Sequence, residues 1–272
     1  MKYSFSCSAP CSYEVVVDAK NDDEAVARIV AEGAVHGGQV HSHVLPMTEE
    51  QLKNMVRSGM MKARSTVRLL VGALLAIWFA LVFFLAVGGA FVRPPQAPPV
   101  PILLGFAVPL VVFVTAYLES GAFRTLVLGA DLRLLTAIQA WRAGGLGFLA
   151  LYAHGVLPGL FAWPAGLGDI AIGVTAPWVA LALIRRPTFV ASPQFAAWSL
   201  FGILDLIVAV STGALSSGFV VGLAGNVTTA PMAQLPLVLI PAYFVPLFIM
   251  FHLAALFQAR RNPLPETKPM GL

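Results

Sequence analysis

The chain has 272 residues, of which 58% are hydrophobic and only 11% charged, with a mean hydropathy of +0.82. Soluble globular domains carry roughly 25% charged residues, so a wholly soluble chain is excluded and an integral membrane protein is expected. The formal net charge of +4 comes mostly from basic residues beside apolar runs, where they meet lipid headgroups, and gives no reason to invoke nucleic acid.

Residues 1–66 read as a small soluble module, and every long uncharged apolar run falls after them. MKYSFSCSAPCSYEVVV lacks an apolar h-region and a cleavage site, so no signal peptide is expected. YSFS and SYEVVVDA are short strand candidates, the second setting Tyr13, Val15 and Val17 on one face. NDDEAVARIV opens a helix, with Asn21 as cap, Glu24 as the capping-box acid and Val26, Ile29 and Val30 as its apolar stripe. A second helix starts at TEEQ, with Thr48 as cap and Gln51 three residues on, and is expected to continue towards the first membrane span.

Cys7 and Cys11 stand in C-x3-C spacing, and His36, His41 and His43 follow in HGGQVHSH. With that end in the reducing cytoplasm, paired cysteines hold metal more often than they form a disulfide. Zinc takes four thiolate or imidazole ligands, and His36 with His41 meets the H-x3-5-H spacing. The expected zinc ligands are therefore Cys7, Cys11, His36 and His41, two on a strand turn and two after a helix, with His43 to spare. A pair of free cysteines beside a histidine-rich loop without metal is the alternative.

The stretches KYSFSC, Cys11, DDEAVARIV, His36, His41 and EEQLKNMV together resemble a small bacterial Cys/His domain of unknown function. That resemblance covers about the first 60 residues and implies a compact α+β module with no established activity. LPGLFAWPAGLGDIAIG, WSLFGILDLIVAV and LPLVLIPAYFVPLFIMFHL similarly resemble an uncharacterised family of six-span bacterial membrane proteins.

Six spans are expected over residues 67–258, since a hydrocarbon core of roughly 30 Å needs about 20 residues each. They fall near 68–92, 99–118, 137–157, 166–184, 195–214 and 234–257. FRTLVLGADLRLLTAIQ could extend the third span or lie along the membrane surface. Lys53, Arg57, Lys62, Arg64 and Arg68 precede the first span, and Arg124, Arg133 and Arg142 are placed between the second and third. Arg185 and Arg186 follow the fourth span, and Arg260 and Arg261 follow the sixth, whereas the opposite loops hold only Arg93. The positive-inside rule then puts both termini in the cytoplasm of an inner-membrane protein, with residues 259–272 as a polar, disordered tail.

An ionisable side chain in lipid costs about 3 kcal/mol on insertion scales, so Asp205 in FGILDLIVAV must face protein or water. Helical steps put Trp198, Gly202, Asp205, Ala209 and Thr212 on one stripe, Asp169, Gly173, Ala176 and Ala180 on another, and Ala143, Gly147, Ala150 and His154 on a third. His252 sits on the sixth span with prolines at 236, 241 and 246, each able to free a backbone carbonyl. At 1.5 Å per residue, His252 lies roughly 9 Å from the cytoplasmic side, Asp205 roughly 15, His154 roughly 18 and Asp169 roughly 25. A polar path of Asp205, His154, Asp169 and His252 is expected, with His154 as partner of Asp205 and Glu119, Arg124, Asp131 and Arg133 at its inner mouth. Polar residues also join membrane helices without moving anything, which is the structural alternative.

Two functions compete. One is a transporter or channel for a proton, metal ion or small solute, with the N-terminal module as its metal-binding regulator. The other is a membrane sensor whose Cys/His module holds a cytoplasmic protein partner. A redox enzyme is weakened by the unequal depths of His154 and His252, and GxSxG, HExxH and P-loop motifs are absent from the sequence.

Overall fold

A computed structural model describes residues 2–6, 14–40, 48–94, 96–220 and 225–261. The chain divides into two compact units, Met1–Ile77 and Trp78–Leu272.

In the first unit, strands β1 (Lys2–Ser6) and β2 (Glu14–Asp18) pair antiparallel, with Lys2 opposite Asp18 and Ser6 opposite Glu14. Alternation along β2 buries Val15 and Val17 against Val26, Ile29 and Val30 of α1 (Asp22–Val40). Both expected caps form, although the acid of the first reaches the N–H of Lys20 rather than that of the cap residue. Asn21 Oδ1 accepts from the Glu24 N–H at 2.8 Å, and the Glu24 carboxylate accepts from the Lys20 N–H at 2.9 Å. At the start of α2 (Glu49–Val87), Thr48 and Gln51 exchange hydrogen bonds of 3.0 and 3.3 Å. Val56 of α2 closes this core.

Cys7, Cys11 and His41 lie outside the described residues. His36 falls within α1, whereas the spacing argument set it after the helix; the helical run simply continues through HGGQV to Val40. Among the described residues, no three histidine, cysteine, aspartate or glutamate side chains gather as metal ligands.

Six stretches are long and apolar enough to cross a membrane: Leu69–Val87, Val100–Glu119, Leu132–Ala153, Gly159–Arg185, Pro193–Leu215 and Ile240–Arg261. The second and fifth are single helices, α3 (Val100–Glu119) and α8 (Pro193–Leu215), and the fourth is α7 (Gly159–Arg185). Large apolar side chains such as Val111, Val112, Leu118, Leu200 and Leu204 point outwards, as acyl chains require.

Two spans are not uniform α-helix. The third begins as α5 (Leu132–Ile138), tightens into a 3-10 segment at Gln139–Gly145, and resumes as α6 (Leu146–Ala153). The sixth opens with a π-helical turn at Ile240–Phe244, containing Pro241, before α9 (Val245–Arg261). The ambiguous FRTLVLGADLRLLTAIQ segment splits, since α4 (Gly121–Leu128) stands apart and α5 belongs to the third span.

Helix ends on one face of the bundle carry Arg124, Arg133, Arg185, Arg186, Arg260 and Arg261. Arg124 donates to the Tyr117 and Leu118 carbonyls at the end of α3, and Asp131 accepts from the Arg133 and Leu134 N–H groups at the start of α5. These two residues thus close helix ends, a task that exposed backbone groups impose.

Candidate functional site

The 3-10 segment sets up the centre of the bundle. With three residues per turn, Gln139, Arg142 and Gly145 fall on one face, and all three are buried. Among the described residues Arg142 is the largest fully buried side chain, and its guanidinium is wholly hidden from solvent. It donates from Nε to Asp169 Oδ1 of α7 at 2.7 Å and pairs through a second nitrogen with Asp205 of α8. Its remaining amino group donates to the Gly202 carbonyl at 3.2 Å and meets His252 Nε2 of α9 at 3.3 Å. Arginine has no acceptor, so Nε2 of His252 accepts and its proton sits on Nδ1.

Four spans thus converge on one guanidinium, and each contributes its residue from the middle third of its length. With both carboxylates ionised and the imidazole accepting, the cluster carries a formal charge of −1. Close approach is built in: a Cβ on Gly168 would collide with the Asp205 carboxylate, so α7 must be bare where α8 delivers its charge. Nearby, Gln139 donates to the Phe248 carbonyl at 3.2 Å, while its own oxygen and the hydroxyls of Thr136 and Ser199 are buried without a partner among the described residues.

Access to this centre is one-sided. A cavity of about 460 Å³ runs from the loops opposite the arginine-rich face, past Phe91, Phe161 and Met232, down to Asp169. Towards the arginine-rich face, side chains of the described residues cover the centre. The Trp198 ring lies 5.1 Å from that of His252, and Leu183, Val190, Phe195 and Ala255 pack into an apolar cluster beyond it.

Of the expected path residues, Asp205, Asp169 and His252 meet around Arg142. His154 does not: it is exposed at the end of α6, where its Nδ1 lies 2.8 Å from the Ala150 carbonyl. Its stripe fails because the third span buries Gln139, Arg142, Gly145 and Phe148, while Gly147 and Ala150 face outwards. Arg142 itself, grouped with the loop arginines although the expected bounds of 137–157 already take it in, lies inside the third span, where two carboxylates make an arginine tolerable. The signal for it was the T-x-x-Q-x-x-R-x-x-G run from Thr136 to Gly145, polar at period three rather than at steps of four and three.

Fold and site define a polytopic helical membrane protein with a charge cluster at its centre. The chain belongs to the family described as Domain of unknown function (DUF8737), which matches residues 99–260 and so takes in all four residues of the cluster. The match does not reach the N-terminal unit, for which the Cys/His resemblance gains no support. No match was found among curated proteins or among solved structures.

Proposed function

We propose that the bundle moves a proton, a small cation or a small solute across the membrane, with the Arg142, Asp169, Asp205 and His252 cluster as its binding centre. The observation that supports this is asymmetric access: one carboxylate of a buried ion pair lines a cavity open to one face, and an apolar plug covers the other side. A purely structural ion pair has no need of either feature. With the arginine-rich face in the cytoplasm of a bacterial inner membrane, as the positive-inside rule directs, both termini are cytoplasmic and the cavity opens outwards. Zinc at Cys7, Cys11, His36 and His41 forms no part of this proposal.

The test is flux into liposomes holding the full chain, driven by a potassium diffusion potential and read by an internal pH dye, with sodium and potassium uptake in parallel. Flux above that of empty liposomes is expected, at least ten-fold lower in Asp205→Asn, taking about 1.4 kcal/mol as one such factor. A folded protein that passes none of these ions under either polarity would overturn ion transport. If it still bound a ligand at Asp169, a sensor would be the better reading.

A further inference from the structure

Resting on the transport reading above, we infer that the 460 Å³ cavity is a binding site for an amphiphilic organic monocation, its apolar body against the walls and its ammonium at Asp169. The volume falls within the roughly 300–1,000 Å³ of small-molecule pockets. The walls are chiefly apolar and drawn from several elements: Phe91 from the loop after α2, Ile102 from α3, Phe148 from α6, Phe161 from α7 and Met232 from the segment before the sixth span. A purely ionic substrate has no use for such a lining, since stripping water from a small ion is repaid only by polar ligands. A neutral apolar solute has no use for a carboxylate at the floor.

The charge pattern selects the sign. Asp169 and Arg93 are the ionisable residues lining the cavity; Arg93 is exposed at the rim, so water screens it. Asp169 keeps Oδ1 on Arg142, and no hydrogen bond of its Oδ2 is seen among the described residues. Its side chain retains 14% exposure, against 6% for Asp205 and none for Arg142. Asp169, the more exposed of the two carboxylates, therefore belongs to a centre in which carboxyl groups outnumber the guanidinium two to one, a balance that one added cation evens. An anion would meet that charge at the floor, while the one cationic side chain of the lining, Arg93, stands away from it at the rim. Ammonium to carboxylate is also a charge-assisted hydrogen bond, roughly twice the strength of a neutral one.

The matched probes are 4-phenylbutylammonium and 4-phenylbutanol, which share a body and differ in charge, measured by equilibrium dialysis with the full chain in nanodiscs. The ammonium ion should bind about ten-fold or more tighter than the alcohol. Asp169→Asn, whose amide oxygen can still accept from Arg142, should bring the two probes to equal affinity. Ala214→Trp, which fills the cavity on the last turn of α8 and leaves the charges in place, should abolish binding of both. Thermal unfolding and size-exclusion profiles establish that each variant is folded. Equal binding of the probes by the native protein, or an unchanged preference in Asp169→Asn, overturns the inference. Ion flux that needs Asp205, without the ammonium preference, leaves transport standing and removes only this ligand class; the preference without flux does the reverse.

Discussion

Arg142 is the residue on which the centre turns, because among the described residues it is the one cation paired with both Asp169 and Asp205. Removing one partner of a buried ion pair typically costs about 3–5 kcal/mol, since the remaining charge stays in low dielectric. Arg142→Met should therefore lower the unfolding temperature sharply in nanodiscs, and Arg142→Met with Asp169→Asn and Asp205→Asn should recover most of the loss. A triple variant no more stable than the single one would mean that Arg142 acts through its packing. The N-terminal unit offers a milder case. The Lys20 N–H, and then Arg28, favour the ionised form of Glu24 and hold its carboxyl below the usual 4.5. A depressed carboxyl stabilises the fold above its unfolded pKa and loses that contribution as pH falls through the lower folded value. Glu24→Gln should accordingly speed hydrogen exchange in the first turn of α1 at neutral pH, and the gap from the native protein should close in acid below about pH 4. A gap that persists there would assign the effect to geometry rather than charge.

Among elements, the third span is the one whose local geometry departs furthest from its sequence pattern. The caps at Asn21 and Thr48, the alternation of Val15 and Val17, and the apolar runs were legible because each follows from neighbours a few residues apart. The Asp169 and Asp205 stripes were legible too, and Gly173, Ala176 and Ala180 are buried with the first as Gly202 and Ala209 are with the second. Steps of four and three fail only where the helix tightens to three residues per turn, and this is where Arg142 lies. Which spans face one another depends on tertiary packing, so a helical stripe could name Asp205 but not choose Arg142 over His154 as its partner. The tightened segment also fixes a close crossing: a Cβ on Gly173 of α7 would strike the backbone at Ala143, which cannot swing aside as a side chain can. Gly173→Ala should cost about 1–3 kcal/mol as overpacking does, read by thermal unfolding, and should displace Arg142 enough to reduce any Asp205-dependent flux. A Gly173→Ala protein with native stability and flux would show the crossing to be loose.

For the molecule in its membrane, the asymmetry between cavity and plug makes the strongest demand. A carrier of the kind proposed must expose its binding centre to one side at a time; the cavity past Ala214 reaches Asp169, and Leu183, Phe195 and Ala255 pack in an apolar cluster on the other side. Solvent reactivity of single cysteines reads this directly, in a background where Cys7 and Cys11 are serine. Ala214→Cys should react with a membrane-impermeant maleimide added to intact spheroplasts, because the cavity opens on the face opposite the arginines, which the proposed orientation puts outermost. Ala255→Cys substitutes one small residue for another within the plug, which is 3% exposed, and should react from neither side while the protein rests in this state. Imposing the driving force that supports flux should then raise Ala255→Cys labelling in inverted vesicles and depress Ala214→Cys labelling in spheroplasts, as the two accesses exchange. Labelling of Ala255→Cys in the resting protein would mean a continuous pore, and a channel rather than a carrier. Labelling of Ala214→Cys only in inverted vesicles would reverse the topology, and with it the assignment of the arginine-rich face to the cytoplasm.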